Sequence, residues 1–487
     1  MRHAFRHRMK ISSLYIISHR LAILSGIVPQ WYDCCVNSCV AYIGDHEDFE
    51  QCPECSQPRW ISGSHTPRRM FCYIPLIPRL QNFFTNPQSH QEILYRHNYK
   101  STGNSISDVF DGQHYKDLCN TWVTVDGSRL SHKFFSDKRD IAFSTCLDSY
   151  LLYKHRRSGP SAMPILIQIL NLPPEIRSHL SHVICVGVIP GPKAPKQVRT
   201  FLYPLENECA KLARGIPTRD FVDNTTFDLH AYNIFTSGDI IAIEKFLNIK
   251  GHNGICPCPC RSCNMKAVND QNDSGDKTYY IPLTHPGKSR RVDPRNLERR
   301  KHDDWAIITF QIRKATTKKG KNLIAMHHGI KGIPALSYRV NSMDFARGVP
   351  WDFMHLLYEN VVKNLVNLWK GRYKGLDEGT QTYIIPDHIW KQIGEETVAA
   401  IKDIPSAFVR SLGNINDDQA NYTAEGWAFW FMYLAPFLLK NRLSNNCYRH
   451  MCQLVEIMKT CIQFTLQHNE IDALETQIIA WVQEYER

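Results

Sequence analysis

The sequence lacks the apolar run of a membrane-spanning helix, for which about 18 to 20 unbroken apolar residues are needed. Its N-terminus is basic and then apolar, but His19 and Arg20 interrupt the apolar part, and it carries no secretory signal. Internal repeats and long low-complexity tracts are also missing. These absences lead us to expect a globular protein with no membrane partner.

Cysteine, in contrast, is abundant, with 17 residues in a chain of 487. Because no secretory signal is found, we expect a reducing compartment. Clustered cysteines in such a compartment bind metal ions instead of forming disulfides.

The charge balance favours a polyanionic partner. The chain has 58 basic and 47 acidic residues, a formal net charge of +11, and such a surplus is typical of nucleic-acid binding. Two basic runs, 289–301 and 313–322, are candidates for contacts with DNA phosphates. The alternative is that these runs are solvated surface loops.

The pattern of apolar residues predicts an α/β fold. Several strands are followed by a helix, a strand and another helix, an order that is typical of this class. The predicted elements are strands at 139–147, 164–172 and 183–189, a helix at 197–215, a strand at 227–235 and a helix at 240–249.

The length allows two or three domains or one core with large insertions. We expect an N-terminal arm with a cysteine-rich zinc module at 1–75, a connecting region at 76–130, a core at 131–370 with an insertion at about 250–345, and a helical C-terminal region at 371–487.

A first cysteine cluster, formed by Cys35, Cys39, Cys52 and Cys55, has the spacing of a structural zinc site. Two thiolate pairs on separate turns can close a tetrahedral site around one Zn²⁺. Cys34 is then a spare residue, and His46 is an alternative ligand. Buried free cysteines without a metal are the other interpretation.

A second cysteine cluster, formed by Cys256, Cys258, Cys260 and Cys263, is more crowded. Cys260 and Cys263 are the best-spaced pair for Zn²⁺, and they need two further ligands. The nearest candidates are Cys256, Cys258 and His252, and more distant ones are His285, His327 and His328. A cysteine loop without metal is the alternative.

Acidic residues at element ends are candidates for a second kind of metal site. Asp148 ends a predicted strand, and Asp239 follows another strand and starts a helix. Asp352, His355 and Glu359 share one face if 352–370 is a helix. Phosphodiester chemistry commonly uses two Mg²⁺ ions about 4 Å apart, held by such carboxylates. Helix capping by Asp239 or Asp352, and a solvated Glu359, are the structural alternatives.

The sequence resembles the transposases of CACTA (En/Spm-type) DNA transposons, especially their fungal branch, over about residues 25–487. The segments that carry the resemblance are, in order, YDCCVNSCVAYIG, CPECSQPRW, NLPPEIRSHL, GVIPGPKAPK, FLYPLENECAKLARGI, SGDIIAIEKFLNIKGHNG, CPCRSCNMK, YYIPL, GIKGIPALS, WDFMHLLYENVVKNLVNLWKGRYKGLDEG and TAEGWAFWFMYLAPFLL.

The resemblance implies an RNase H-like catalytic core of the DDE/D type in a nuclear protein. It implies cleavage of transposon ends and their joining to target DNA, dependent on Mg²⁺ or Mn²⁺, and leaves a homo-oligomer open. By position, Asp148 and Asp239 are the first two acids, and Asp352 or Glu359 is the third. The pair Cys260 and Cys263 matches a Cys-x2-Cys of the family between the second and third acids.

The sequence departs from the family at the first acid, where Leu147-Asp148-Ser149-Tyr150 replaces the usual Thr-Asp-Gly-Phe. The additional Cys256 and Cys258 are a second departure. Two alternatives to an active transposase therefore stay open. One is a decayed or domesticated zinc-containing DNA-binding protein, and the other is an RNase H-like nuclease without strand transfer.

Overall fold

The computed structural model describes residues 13–151, 161–251, 256, 268–271, 277–280, 283, 291–297, 299–336, 339–373 and 382–486. Over these residues the chain has a mixed α/β architecture. The strands are β1 (Gln30–Asp33), β2 (Met70–Tyr73), β3 (Ser105–Ile106), β4 (Trp122–Val125), β5 (Ser128–Lys133), β6 (Ile141–Leu147), β7 (Tyr150–Leu151), β8 (Ser161–Ile169), β9 (Ile184–Pro190), β10 (Ile216–Asp220), β11 (Thr225–Leu229), β12 (Ala231–Ser237), β13 (Val268–Gln271), β14 (Lys277–Tyr280) and β15 (Leu466–Gln467).

Helices surround and follow these strands. The α-helices are α1 (Leu14–Ser25), α2 (Ile77–Gln81), α3 (Pro87–Ile93), α4 (Tyr95–Asn98), α5 (Gln113–Cys119), α6 (Pro174–Arg177), α7 (Val198–Arg214), α8 (Ile240–Phe246), α9 (Asp304–Lys314), α10 (Lys318–His328), α11 (Lys363–Trp369), α12 (Asp387–Lys402), α13 (Ala424–Phe429), α14 (Ala435–Leu438), α15 (Asn445–Cys461) and α16 (His468–Tyr485). Short 3₁₀ turns lie at Gly44–His46, Asn82–Phe84, Val109–Asp111 and Gln419–Asn421, and π-helical segments lie at Met354–Val362 and Trp430–Leu434.

A seven-stranded sheet forms the centre of the structure. Its order is β1-β2-β9-β8-β6-β12, and β7 pairs with β8. Neighbouring strands are antiparallel except β12, which runs parallel to β6. Helix α7 makes the crossover that a parallel return requires. Six of the seven side chains of β6 are buried, because this central strand is covered on both faces.

The predicted strands at 139–147, 164–172 and 183–189 are confirmed as β6, β8 and β9, and the helix at 197–215 is confirmed as α7. The single strand expected at 227–235 is wrong. The chain leaves the β10–β11 hairpin at His230 and enters the central sheet as β12. His230 fixes this change of partner, since its Nδ1 lies 3.1 Å from Oδ1 of Asp140.

The described residues form two large apolar cores and a small third one. The first packs around the central sheet and contains residues from Cys34 to Val349, the second contains residues from Val362 to Trp481, and the third surrounds the first cysteine cluster. The second core thus begins before the expected start of the helical C-terminal region at 371, and Trp390 and Trp430 are fully buried in it. Not every aromatic side chain there is core, because Phe437 is 81% exposed.

Candidate functional site

Asp148 and Asp239 lie at the same edge of the central sheet. Parallel strands β6 and β12 end together there, and Cys146 stands opposite Ser237 in the last pair of the register. Each acid follows two residues later, so they start from neighbouring strands, which are spaced about 4.8 Å apart.

The close approach at this edge depends on Gly238. A Cβ atom at this position would lie 2.4 Å from the carbonyl oxygen of Leu147, a distance that side chains do not tolerate. The glycine that the geometry requires is therefore next to the second acid and not next to the first. Ser149, the departure found in the sequence, donates its backbone amide to Asp148.

A segment that runs along β12 carries Asp352 to the same edge. The hydroxyl of Ser342 donates to the carbonyl of Asn233 at 2.7 Å, and the amide of Thr236 donates to the carbonyl of Gly348 at 2.8 Å. Asp352 follows Gly348 by four residues. These contacts along the outer edge of β12 bring Asp352 near Asp148 and Asp239.

Asp239 and Asp352 are also helix caps. Oδ1 of Asp239 accepts from the amide of Ala242 at 2.6 Å at the start of α8. Oδ1 of Asp352 accepts from the amides of Met354 and His355, at 2.9 and 3.3 Å. Capping and metal binding are compatible here, because a carboxylate offers about four lone-pair sites.

His355 fixes the other oxygen of Asp352. Its Nδ1 lies 2.7 Å from Oδ2 of Asp352. Burial disfavours the charged imidazole, but this bond and the charges of Asp352, Glu359 and Asp239 together raise the pKa of His355. An imidazolium at this position offsets part of the negative charge of the edge.

The acids are close enough to affect one another's ionisation. Partial burial raises the pKa of Asp148, and the charges of Asp239 and Asp352 raise it further. The Ser149 amide and His355 act in the opposite direction. Crowded carboxylates of this kind attract a cation, since a cation removes their repulsion. We call Asp148, Asp239 and Asp352 the acid cluster.

Glu359 has less influence than Asp352 on the charges at this edge of the sheet. Residues 352–370 do not form the expected single α-helix, because a π-helix runs from Met354 to Val362 before α11 begins. The condition for a common α-helical face of Asp352, His355 and Glu359 is therefore not met. Glu359 is exposed, and its charge acts on His355.

The carboxylates of the acid cluster do not lie close enough together to form a complete set of metal ligands. Among the described residues, two groups have metal-ligand atoms that all lie within 4.8 Å of one another. They are the first cysteine cluster and a group of His90, Asp220 and Asp223. The three acids must therefore approach one another further to share ions.

The first cysteine cluster has the dimensions of a zinc site. Sγ of Cys35 lies 3.5 Å from Sγ of Cys55, and a tetrahedral site with Zn–S bonds of about 2.3 Å places sulfurs about 3.8 Å apart. Cys35, Cys39 and Cys52 are buried and Cys55 is half-buried. The four thiols can therefore hold one metal ion.

Thiolate formation is easiest at Cys55. Burial opposes ionisation, but the amide of Gln57 and the side chain of Asn37 are the next largest influences, and the pKa of Cys55 is lowered to about 6. Burial raises the pKa of Cys52 to about 11. A bound cation would deprotonate the remaining thiols.

Neither the spare residue Cys34 nor the alternative ligand His46 belongs to this group. Cys34 lies in the first apolar core, where burial raises its pKa to about 12. The ring of His46 packs at 5.0 Å from that of Phe49.

The cysteine cluster is joined to the central sheet. Its loop connects β1 with β2, and β2 pairs with β9. The carbonyl of Cys39 accepts from the amides of Lys196 and Gln197, at 3.1 and 3.0 Å, just before α7. A metal at this site would stabilise the sheet edge and the start of α7 together.

Most of the second cysteine cluster lies outside the described residues, namely His252, Cys258, Cys260 and Cys263. Cys256 is buried, and its thiol donates to the carbonyl of His327 at 3.1 Å. Zinc at this cluster stays a prediction.

Sequence reasoning missed the group of His90, Asp220 and Asp223, whose members are up to 133 positions apart and form no motif. Nε2 of His90 lies 3.0 Å from Asp220. Lys138 lies 3.0 Å from Asp223, and Arg139 lies 3.9 Å from Asp220. These cations offset the acids, so the group is an ion-pair network that fixes the β10–β11 hairpin.

Among the described residues, no helix has both the length and the apolar character needed to cross a membrane. A search among curated proteins finds no match to the chain. Residues 112–314, a range that includes Asp148 and Asp239 but not Asp352, match the family model of Transposase family tnp2, and this match supports a transposase.

Proposed function

We propose that the chain is a CACTA-type DNA transposase that cleaves transposon ends and joins them to target DNA, with Mg²⁺ or Mn²⁺ at the acid cluster. The observation that supports the proposal is that Asp148 and Asp239 lie at one edge of the sheet, near enough to Asp352 for the charges of Asp239 and Asp352 to raise the pKa of Asp148. The family match and the net charge of +11 favour DNA as the partner.

The strand order supports the RNase H-like core that the resemblance implies. Strands β6, β8 and β9 form an antiparallel meander, α7 crosses over, and β12 returns parallel to β6. Ligands of open α/β sheets commonly bind beyond the carboxyl ends of the strands. The acid cluster occupies this position.

The roles of the residues follow from their contacts. Asp148, Asp239 and Asp352 would hold the divalent ions, which lower the pKa of a nucleophilic water and stabilise the leaving 3′-oxygen. Gly238 lets the second acid approach the first. His355 orients Asp352 through Nδ1. Zn²⁺ at the first cysteine cluster would have a structural role. A protein with DNA as its substrate would act in the nucleus.

Cleavage of labelled terminal-repeat DNA in the presence of Mg²⁺ tests the proposal. Asp239→Asn should abolish cleavage and keep DNA binding, because it removes a ligand charge at a solvent-facing site. Asp228→Asn, an exposed acid on β11, is the matched control and should cleave normally. Normal cleavage by the Asp239→Asn protein would refute the assignment.

A catalytically decayed DNA-binding protein is the second candidate, because the acids are not within 4.8 Å of one another as a group. It predicts DNA binding without cleavage by the unaltered chain, at any Mg²⁺ or Mn²⁺ concentration. A nuclease without strand transfer would cleave the same DNA and yield no joined product.

A further inference from the structure

Four lysines from three parts of the chain lie near enough to influence one another's charge, and Lys245 is near enough to Asp239 to feel its charge. Lys196 precedes α7, Lys245 lies in the last turn of α8, Lys250 follows α8, and Lys331 follows α10. We call these residues the lysine patch. They lie outside the basic runs at 289–301 and 313–322, so the linear sequence gave no sign of them.

Backbone contacts bring the patch together. The amide of Lys250 donates to the carbonyl of Gly329 at 2.7 Å, and the amide of Lys331 donates to that of Asn248 at 2.8 Å. A bridge between Ile249 and Ile330 holds the two segments side by side. The positions of Lys250 and Lys331 are therefore fixed by the fold.

The charge of the patch is poorly compensated. Nζ of Lys331 lies 3.5 Å from Glu244, and among the described residues no other lysine of the patch has a carboxylate within 4.0 Å. Burial lowers the pKa of Lys245; Asp239 and Glu244 oppose this, and Lys196 and Lys331 lower it further. Gathering like charges costs free energy unless an anion binds.

We infer that the lysine patch binds the phosphates of the DNA strand whose scissile phosphate lies at the acid cluster. This inference rests on the proposed function and adds the surface that holds the substrate. Lys245 follows Asp239 by six positions, which is about 9 Å along a helix. Phosphates follow one another by about 3.4 Å of axial rise per strand, so the patch meets the backbone two or three nucleotides from the cleaved bond.

A purely structural role accounts for part of the patch. Lys245 is favourably placed at the carboxyl end of α8, where the helix dipole attracts cations. Lys331 has its ion pair with Glu244. Neither role explains why Lys196 and Lys250 lie near Lys245 and Lys331, and neither predicts an effect on DNA binding.

The test compares two triple variants in the Asp239→Asn background, which stops cleavage. Lys196→Gln, Lys245→Gln and Lys331→Gln together alter the patch. Lys391→Gln, Lys402→Gln and Lys440→Gln together remove the same charge from exposed positions outside both basic runs and serve as the control. The probe is a labelled duplex of random sequence, because phosphate contacts are independent of sequence.

The patch variant should bind more weakly, and its plot of log K against log salt should be less steep by about 3, near one unit for each lost contact. The control should keep most of the slope of the Asp239→Asn parent. Equal slopes for the patch variant and the Asp239→Asn parent, or an equal loss in both variants, would overturn the inference. RNA that competes as well as DNA would overturn the choice of DNA.

Two checks separate this inference from its alternatives. Melting temperature and zinc content should be unchanged in both variants, so that a folding defect is recognised. If the native chain cleaves terminal-repeat DNA and the patch variant binds normally, the inference alone fails. If the native chain neither binds nor cleaves DNA, the proposed function fails with it.

Discussion

Gly238 lies so close to Leu147 that a Cβ atom at position 238 would stand 2.4 Å from the carbonyl oxygen of Leu147. The two residues immediately precede Asp239 and Asp148. The separation of the first two acids is thus set by backbone contact and does not depend on the rotamers of neighbouring side chains.

Gly238→Ala should separate the two strand ends and abolish DNA cleavage. Overpacking of this kind costs about 1 to 3 kcal/mol of folding free energy, which urea denaturation measures. Gly320→Ala on α10, where alanine favours the helix by about 1 kcal/mol, is the control and should cleave normally. Full activity in the Gly238→Ala protein would contradict the close approach.

Asp148→Asn should raise the stability of the metal-free protein at pH 7 while it abolishes cleavage. Because the pKa of Asp148 is raised in the folded state, its carboxylate destabilises the fold as the pH rises above the unfolded pKa, and the loss is complete above the folded pKa. The gain should stay below about 1 kcal/mol, since the side chain is only partly buried and solvent screens its charge. It should vanish at a pH below the unfolded pKa of about 3.9.

Mg²⁺ should stabilise the native protein more than the Asp148→Asn variant. An ion that binds the folded state alone raises the melting temperature with concentration. Differential scanning fluorimetry over a MgCl₂ series, with KCl at matched ionic strength, measures the effect. Identical shifts in both proteins would show that Mg²⁺ does not bind at Asp148.

Asp352→Asn should abolish cleavage, and Glu359→Gln should reduce it less than about tenfold, equal to about 1.4 kcal/mol of barrier. The charge of Asp352 raises the pKa of Asp148, whereas the charge of Glu359 raises the pKa of His355, at the periphery of the acid cluster. Single-turnover cleavage rates distinguish the two. The reverse order of effects would make Glu359 the third acid.

Cys35→Ser should lower the zinc content by one ion per chain and destabilise the protein, because a structural zinc contributes folding free energy. Cys34→Ser, one residue away and outside the ligand group, should keep its zinc. Elemental analysis by mass spectrometry measures both. Equal zinc in the two variants would exclude a zinc site at the first cysteine cluster.

The parts of the fold that follow from local sequence were predictable. The apolar runs of β6, β8 and β9 and the spacing of the first cysteine cluster are contiguous signals, and the structure contains them. The break between β11 and β12 was not predictable, because residues 227–235 contain no Gly or Pro to mark it and a change of pairing partner leaves no local signal.

The sequence suggests which residues form the candidate site but not how they are arranged. The preference for Asp352 over Glu359 stays a proposal, and it depends on the influence of Asp352 on Asp148 and on a π-helix whose wider turn the apolar spacing does not reveal. Lys196 and Lys331 are 135 positions apart, and their meeting depends on tertiary contacts alone. Zinc at Cys260 and Cys263 is still a prediction, because these residues lie outside the described part of the chain.

The path of the chain from Gly348 to Val362 has a mechanical consequence. Asp148 and Asp239 adjoin two elements of the first core, β6 and α8, whereas Asp352 begins the segment that enters the second core. A rotation of the second core about this segment would change the distance from Asp352 to the other two acids and leave the distance between Asp148 and Asp239 unaltered. A movement of the C-terminal helices would therefore displace Asp352 alone among the three residues.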